Sequence, residues 1–295
     1  MKEKKIYALG FFDGVHRGHQ ALLAACIQLS KEASAQPCAM TFDTHPQNLV
    51  QGIAPGLINT PHDRRLLLEQ YGMAGVETLH FDEKTRNMSW QDFFRYLTED
   101  LSAAGLVCGN DFRFGRGGEG NAAILQEACR EKGIPCVVVP EQTFEDIRIS
   151  STHIRSLMEQ GSMEKAVEFL GHPHVLTGTV VSGRKLGRTI GIPTANLELP
   201  KGLVIPKFGV YACKTVLDGK EYLAVTNIGI RPTVNGHHIT VEPWILDFEG
   251  DLYGKELTLE FHAFLRPERK FDSLEELKAE IQKNAEKTRI LLGKS

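Results

Sequence analysis

The stretch Ile6-Tyr7-Ala8-Leu9-Gly10-Phe11-Phe12-Asp13-Gly14-Val15-His16-Arg17-Gly18-His19 runs from an apolar strand through a glycine-bounded turn into the helical window Ala21 to Ser34. A strand that passes straight into a helix opens an α/β unit, because the helix carries the chain back to pair in parallel. A helix start is also where phosphate binds readily: its first backbone N–H groups lack partners and its dipole end is positive. His16 and His19 are three apart and can share one face there, while Gly18 removes a side chain where phosphate must approach the backbone. The spacing suits the clamping of a polyphosphate. One surface and one structural histidine is the plainer alternative.

Working outward, the alternation continues to about Gln160. Ile6 to Leu9, Cys38 to Thr41, Val76 to Leu79, Leu106 to Cys108 and Cys136 to Val139 are strand-like runs between helical windows, which predicts a parallel sheet with helices on both faces. In the window Ser89 to Leu101, Trp90, Phe93, Phe94, Leu97 and Leu101 fall at helical spacing, so its aromatics are read as core. Gly115, Gly117 and Gly120 match G-x-G-x-x-G, but no strand end precedes them, so they are read as a mobile glycine loop and not a dinucleotide fingerprint.

After the helical stretch Thr152 to Leu170, Gly171-His172-Pro173 breaks the periodicity, and the domain boundary is placed there, giving residues 1–170 and 171–295. Beyond it, Val175 to Val181, Val210 to Val216, Tyr222 to Thr226, Thr240 to Leu246 and Leu257 to Phe264 are strand-like and separated by turn signals such as Asp218-Gly219, Asn235-Gly236 and Glu249-Gly250. That spacing predicts a small β-barrel. Ser273 to Leu292 returns to helical spacing, with Ser273 as N-cap.

A chain of 295 residues is long enough for two domains with their own cores, and its 42% hydrophobic and 24% charged residues are those of a folded globular protein. Thirty-four basic against thirty-seven acidic residues leave a charge of −3, which gives no global positive field for a polyanion such as duplex DNA. The six cysteines form no C-x-x-C pair and lie mostly in apolar stretches, so they are read as buried thiols of a reducing compartment. No apolar run approaches a membrane span and no signal-type segment opens the chain. A cytoplasmic protein without membrane or nucleic-acid partners is expected.

The run G-F-F-D-G-V-H-R-G-H resembles the H-x-G-H signature of the nucleotidyltransferase superfamily, and its first six positions resemble the FAD synthetase branch. Gly109-Asn110-Asp111-Phe112-Arg113-Phe114-Gly115 is similar to that branch's G-x-[ND]-F-x-F-G loop, and Ile149-Ser150-Ser151-Thr152-His153-Ile154-Arg155 to its S-S-T-x-I-R motif. The resemblance implies a Rossmann-like domain in which His16 and His19 stabilise departing pyrophosphate. ATP and phosphate would be bound by Gly10, Phe11, Phe12, Asp13, Gly14, Gly18, Asp111, Ser150, Ser151, Thr152 and Arg155. The last four have an independent rationale, since hydroxyls at a helix start and an arginine offer donors to phosphate; pure capping is the alternative.

In the second half, Gly183-Arg184-Lys185-Leu186-Gly187-Arg188-Thr189-Ile190-Gly191-Ile192-Pro193-Thr194-Ala195-Asn196 joins a basic glycine-rich loop to a Thr-x-Asn pair. Its glycine spacing is one residue short of a Walker A motif, so no P-loop is present. Thr194 and Asn196 carry neutral oxygens that suit a Mg²⁺ ion held mainly by water and nucleotide phosphates. This run resembles the riboflavin kinase motif G-R-x-x-G-x-P-T-A-N, and Asn227-Ile228-Gly229-Ile230-Arg231-Pro232-Thr233 its N-I-G-x-R-P-T loop. By that resemblance Thr194 and Asn196 hold Mg-ATP, Glu242 is the general base, and Gly183, Leu186, Gly187, Arg188, Gly191, Pro193 and Arg266 complete the ATP and flavin site. Pro243 and Trp244 follow Glu242 where a histidine is expected two places on, so flavin packing or strand geometry is expected to differ.

Together the motifs resemble the bifunctional riboflavin kinase/FAD synthetase family of bacteria, in which riboflavin and ATP give FMN, and FMN and ATP give FAD. Mg²⁺ is the implied cofactor, and a monomer or weak homo-oligomer is expected. A nucleotidyltransferase for another phosphorylated acceptor would leave Thr194, Asn196 and Glu242 unexplained. A degenerate flavin-binding regulatory protein would not require these residues and the histidine pair together.

Overall fold

The computed structural model describes residues 3–45, 55–182, 191–233 and 236–293, with only the backbone given at 231–233 and 236–238. The chain forms two compact units: Met1–Leu57 with Pro61–Ser151, and Ile58–Thr60 with Thr152–Ser295.

The first unit is built on strands β1 (Lys5–Leu9), β2 (Gln36–Phe42), β3 (Gly75–Leu79), β4 (Ala103–Gly109) and β7 (Cys136–Val139), in the order β3-β2-β1-β4-β7. All four pairings are parallel, as the strand and helix alternation predicts. The order reverses at β1, so successive right-handed crossovers place helices on opposite faces. Tyr7 and Leu9 join Phe93, Leu97, Leu106 and Leu125, while Ile6 turns its carbonyl to the Cys26 thiol of helix Arg17–Glu32, 3.3 Å away.

The expected helix Ser89 to Leu101 forms as an α-helix over Trp90–Arg95 followed by one wide π-turn, Tyr96–Asp100, closed by the Leu101 N–H on the Tyr96 carbonyl at 3.0 Å. The three glycines read as a mobile loop form an ordered turn between β5 (Arg113–Phe114) and β6 (Gly120–Asn121). Gly115 has φ +75°, and a Cβ there would lie 2.8 Å from the Trp90 nitrogen, so this glycine lets the hairpin close on a helix start.

In the second unit, β10 (His174–Val181), β11 (Asn196–Glu198), β12 (Gly209–Leu217), β13 (Lys220–Thr233), β14 (Gly236–Ile245) and β15 (Glu256–Pro267) close a barrel in the order β10-β11-β14-β13-β12-β15. Closure leaves no open sheet edge. The sequence reading gives five of these strands; β11 has only three residues and one paired position on β14, too short for a periodicity to show. The Asp218-Gly219 turn forms as expected, with φ +49° and +77°. Helix Leu274–Leu292 starts at Ser273, whose hydroxyl accepts the Glu276 N–H at 3.1 Å, and lays Ala285 on Val210, Ala212 and Leu265.

The boundary expected at 170/171 assigns residues 152–170 to the first half. By contacts that stretch lies in the second unit, as two helices, Ser151–Gln160 and Met163–Leu170, broken at Gly161 with φ +83°. The Met158 carbonyl accepts the Lys207 N–H at 3.0 Å and the Glu164 carboxylate accepts the Phe264 N–H at 3.2 Å, so these helices bond to the barrel's own chain. Periodicity locates a helix but not the partner of its apolar face.

Candidate active sites

At the carboxyl end of β1, the chain turns through seven residues into helix Arg17–Glu32. Phe12 (φ +57°) and Val15 (φ +39°) both sit in the left-handed region, and the Val15 N–H closes the turn on the Phe12 carbonyl at 3.0 Å. For a β-branched residue this is costly, on the order of 1–3 kcal/mol. Both side chains are fully buried, at roughly 1.5–3 kcal/mol each, so packing offsets the strain and fixes the turn. Asp13 and His16 are also buried.

His16 is the helix N-cap: its Nδ1 accepts the His19 N–H at 3.3 Å, which leaves its own proton on Nε2. The two imidazoles stack, with centroids 3.6 Å apart and planes 12° apart. His19 Nδ1 has no partner. Burial, then His16 and the Arg64 guanidinium, hold the His19 pKa well below its usual value, so the stacked pair carries a neutral ring. A Cβ at Gly18 would lie 3.2 Å from the His16 ring, so the missing side chain also makes room for the histidine itself.

The other expected residues of this half distribute as follows. Gly10 donates its N–H to Met40 at 3.2 Å, and the Phe11 carbonyl accepts the Thr41 hydroxyl at 2.9 Å, which ties the turn to β2. The Ser151 hydroxyl donates to the Asp13 carbonyl at 2.8 Å, bringing the start of helix Ser151–Gln160 to the turn. Thr152 and Arg155 follow in that helix but belong to the second unit, and Arg155 is buried. Asp111 is exposed and pairs with Arg148 at 2.6 Å, on the short hairpin of β8 (Thr143–Phe144) and β9 (Ile147–Arg148). Sequence reasoning passed over Arg64 and Arg148, because neither sits in a motif and their partners are 22 and 37 residues away.

In the second unit, Gly183, Leu186, Gly187 and Arg188 lie outside the described residues, as do the side chains of Arg231 to Thr233. Gly191 and Pro193 are exposed, and Thr194 lines a cleft with Pro243, Ile245, Phe248, Asp251 and Tyr253. The Ala195 N–H donates to the Pro243 carbonyl at 2.9 Å, so the Thr-x-Asn segment is seated directly on β14. Glu242 is half-buried and stands opposite Asn227 in the β13–β14 register. The expected disturbance after Glu242 is absent from the strand: Thr226 pairs with Pro243 and Val225 with Trp244 in unbroken register. A proline fits because β11 pairs β14 at Val241 alone. Arg266 lies on β15, its Nε 3.2 Å from Glu280 of the last helix.

The FAD synthetase family matches residues 1–153 and the riboflavin kinase family residues 170–292. The bifunctional riboflavin kinase/FMN adenylyltransferases of Listeria monocytogenes and of Escherichia coli are 34% and 36% identical to it, over 98% and 99% of this chain and 93% and 94% of theirs. A crystal structure described as a macrolide-efflux protein from Streptococcus pneumoniae superposes with a TM-score of 0.88 at 30% identity, covering 98% of this chain and 95% of that one. Among the described residues here, no helix is long and apolar enough to cross a membrane. With both family matches in the order in which the two motif sets occur, and relatives matched over nearly their full length, the chain belongs to the bifunctional riboflavin kinase/FMN adenylyltransferase family.

Proposed function

We infer that this chain converts riboflavin and ATP to FMN at the barrel, and FMN and ATP to FAD and pyrophosphate at the carboxyl end of the parallel sheet. The observation that carries the second assignment is the stacked His16 and His19 pair, held by a strained buried turn at a helix start.

The two reactions ask for different residues. A phosphate of FMN is already ionised near neutral pH, its second pKa being about 6, so adenylylation needs no base. It needs two anions held in line and the pyrophosphate stabilised as it leaves. The neutral His19 ring stacked on His16 adds no fixed charge, and the Ser151 bond to the Asp13 carbonyl, within the same unit, supports the assignment of Ser150 and Ser151 to this site. A ribityl hydroxyl is by contrast a poor nucleophile whose proton must leave, which calls for a carboxylate. We assign that task to Glu242.

The donor set around Thr194 fits Mg²⁺. Thr194 and Asn196 are both partly exposed, and Asp251 adds a carboxylate to the cleft that Thr194 lines. Mg²⁺ bound there would offset charge on the transferring phosphoryl group. The reading extends to a cytoplasmic enzyme, a monomer or weak homo-oligomer, acting on riboflavin, FMN and ATP alone; the six free cysteines support a reducing compartment.

The test is to incubate the purified chain with riboflavin and Mg-ATP and separate the flavins. FMN and then FAD are expected. The double variant His16→Ala, His19→Ala should lose FAD formation by about 100-fold or more while FMN still forms. Equal loss of both activities in a folded protein would refute the division of sites.

A further inference from the structure

Arg64 is the largest fully buried side chain among the described residues, at 1% exposure, and lies in helix Pro61–Gln70 of the first unit. Its Nη2 donates to the Phe42 carbonyl at 2.6 Å, where β2 ends. Its guanidinium carbon stands 4.4 Å from the centroid of the Phe11 ring, and Phe11 belongs to the turn that carries the histidine pair. Its Nη1 is buried without a hydrogen-bond partner. Burial, against the pull of Asp13 and Asp43, brings the guanidinium pKa down to about 10, so it remains a cation at neutral pH.

A core position of this size could be filled by methionine or leucine at no polar cost. Leaving a charged N–H unsatisfied costs roughly 1–3 kcal/mol or more. Such a group persists when it has a partner that arrives only in the working state. The carbonyl of Phe42 and the ring of Phe11 both engage the guanidinium and restrain it. The Phe11 ring on the guanidinium is itself half-buried and meets His45 edge-on at 4.7 Å. Arginine is suited to this task because its planar fork can hold a carbonyl with one nitrogen and an anion with the other.

We propose that Arg64 is a phosphate-binding residue of the adenylylation site, its unpartnered Nη1 donating to a phosphate oxygen of FMN or of ATP. This rests on the assignment of adenylylation to the His16 and His19 site. Nothing in the sequence motifs points to Arg64; the signal is the conjunction of full burial, a restrained guanidinium and an empty donor beside the histidine turn.

The experiment uses the full chain with Arg64→Met and Arg64→Lys, and the His16→Ala, His19→Ala double variant as reference. Melting temperature, affinity for inorganic pyrophosphate by calorimetry, and kcat and KM for FAD formation are measured with FMN and ATP varied separately. Arg64→Met is expected to lower kcat/KM by 10- to 100-fold, with Arg64→Lys recovering part of the loss. A rise in KM confined to FMN identifies the acceptor phosphate as the partner. A weaker pyrophosphate affinity together with a rise for ATP identifies the nucleotide. Native constants in a folded Arg64→Met protein, or losses that merely follow the unfolded fraction, would overturn the proposal. If Arg64→Met does not fold, Arg64→Lys decides: a threefold or larger rise in either KM at native melting temperature supports the contact, and native KM values overturn it. Should the double histidine variant retain FAD formation, the site assignment itself fails, whatever Arg64 does.

Discussion

Three single residues carry separable expectations. Replacing Glu242 by Gln keeps the shape of the strand and removes the carboxylate we assign as proton acceptor, so FMN formation should fall by about 100-fold or more while supplied FMN still yields FAD, read by the same flavin separation. Gly18→Ala would press on the His16 ring from 3.2 Å and should lower FAD formation without touching the kinase, because its effect is confined to the stacked pair. His174 behaves as a stability group. It is 1% exposed, neither ring nitrogen has a partner, and burial, with His172 nearby, brings its pKa down to about 3. The unfolded chain binds a proton near pH 6.5 and the folded one does not, so the native state loses about 1.4 kcal/mol per pH unit as pH falls below 6.5, levelling off below about 3. His174→Phe should remove that slope between pH 6 and 4 in denaturant titrations, leaving stability at pH 8 little changed. The motif residues themselves were legible in the sequence because a turn and a helix start are local. What was not legible was that Gly18 yields space to His16, or that Arg64 reaches β2, since both depend on a fold that brings distant atoms together.

At the level of elements, local signals worked where they were strong. The Ser273 cap was readable from Ser273 and the acidic first turn alone, and Ser273→Ala should cost about 1 kcal/mol, seen as a lower melting temperature of the second unit. All five parallel strands and five of six barrel strands follow from β-prone runs between turns. The exceptions have physical causes. Strand Asn196–Glu198 owes its existence to the Ala195 N–H on Pro243 and to neighbours on β10, not to its own propensity. The π-turn at Tyr96–Asp100 preserves the helical spacing of apolar residues, so no pattern distinguishes it from an α-turn. Glycines 115, 117 and 120 look alike in sequence, yet an added Cβ is within 3 Å of backbone only at Gly115 and of the Phe114 ring at Gly120, and meets nothing at Gly117.

For the molecule as a whole, where to cut is the informative question. A piece comprising residues 152–295 keeps the Met158 and Glu164 hydrogen bonds to the barrel chain; a piece comprising 171–295 loses both. We expect the longer piece to melt higher and to retain more riboflavin phosphorylation, whereas equal behaviour of the two would favour the boundary at 170/171. Neither piece is complete, however. Ile58–Thr60 belongs to the second unit, and the Asn59 amide donates to the Val175 carbonyl at 3.0 Å. No single break in the polypeptide therefore yields both units intact. On the ribosome, a tripeptide from the first fifth of the chain must wait, unsatisfied, until a strand more than a hundred residues downstream has been synthesised. A gene-splitting event that parted the two activities would need to reinvent that amide or accept a wetter, looser first barrel strand.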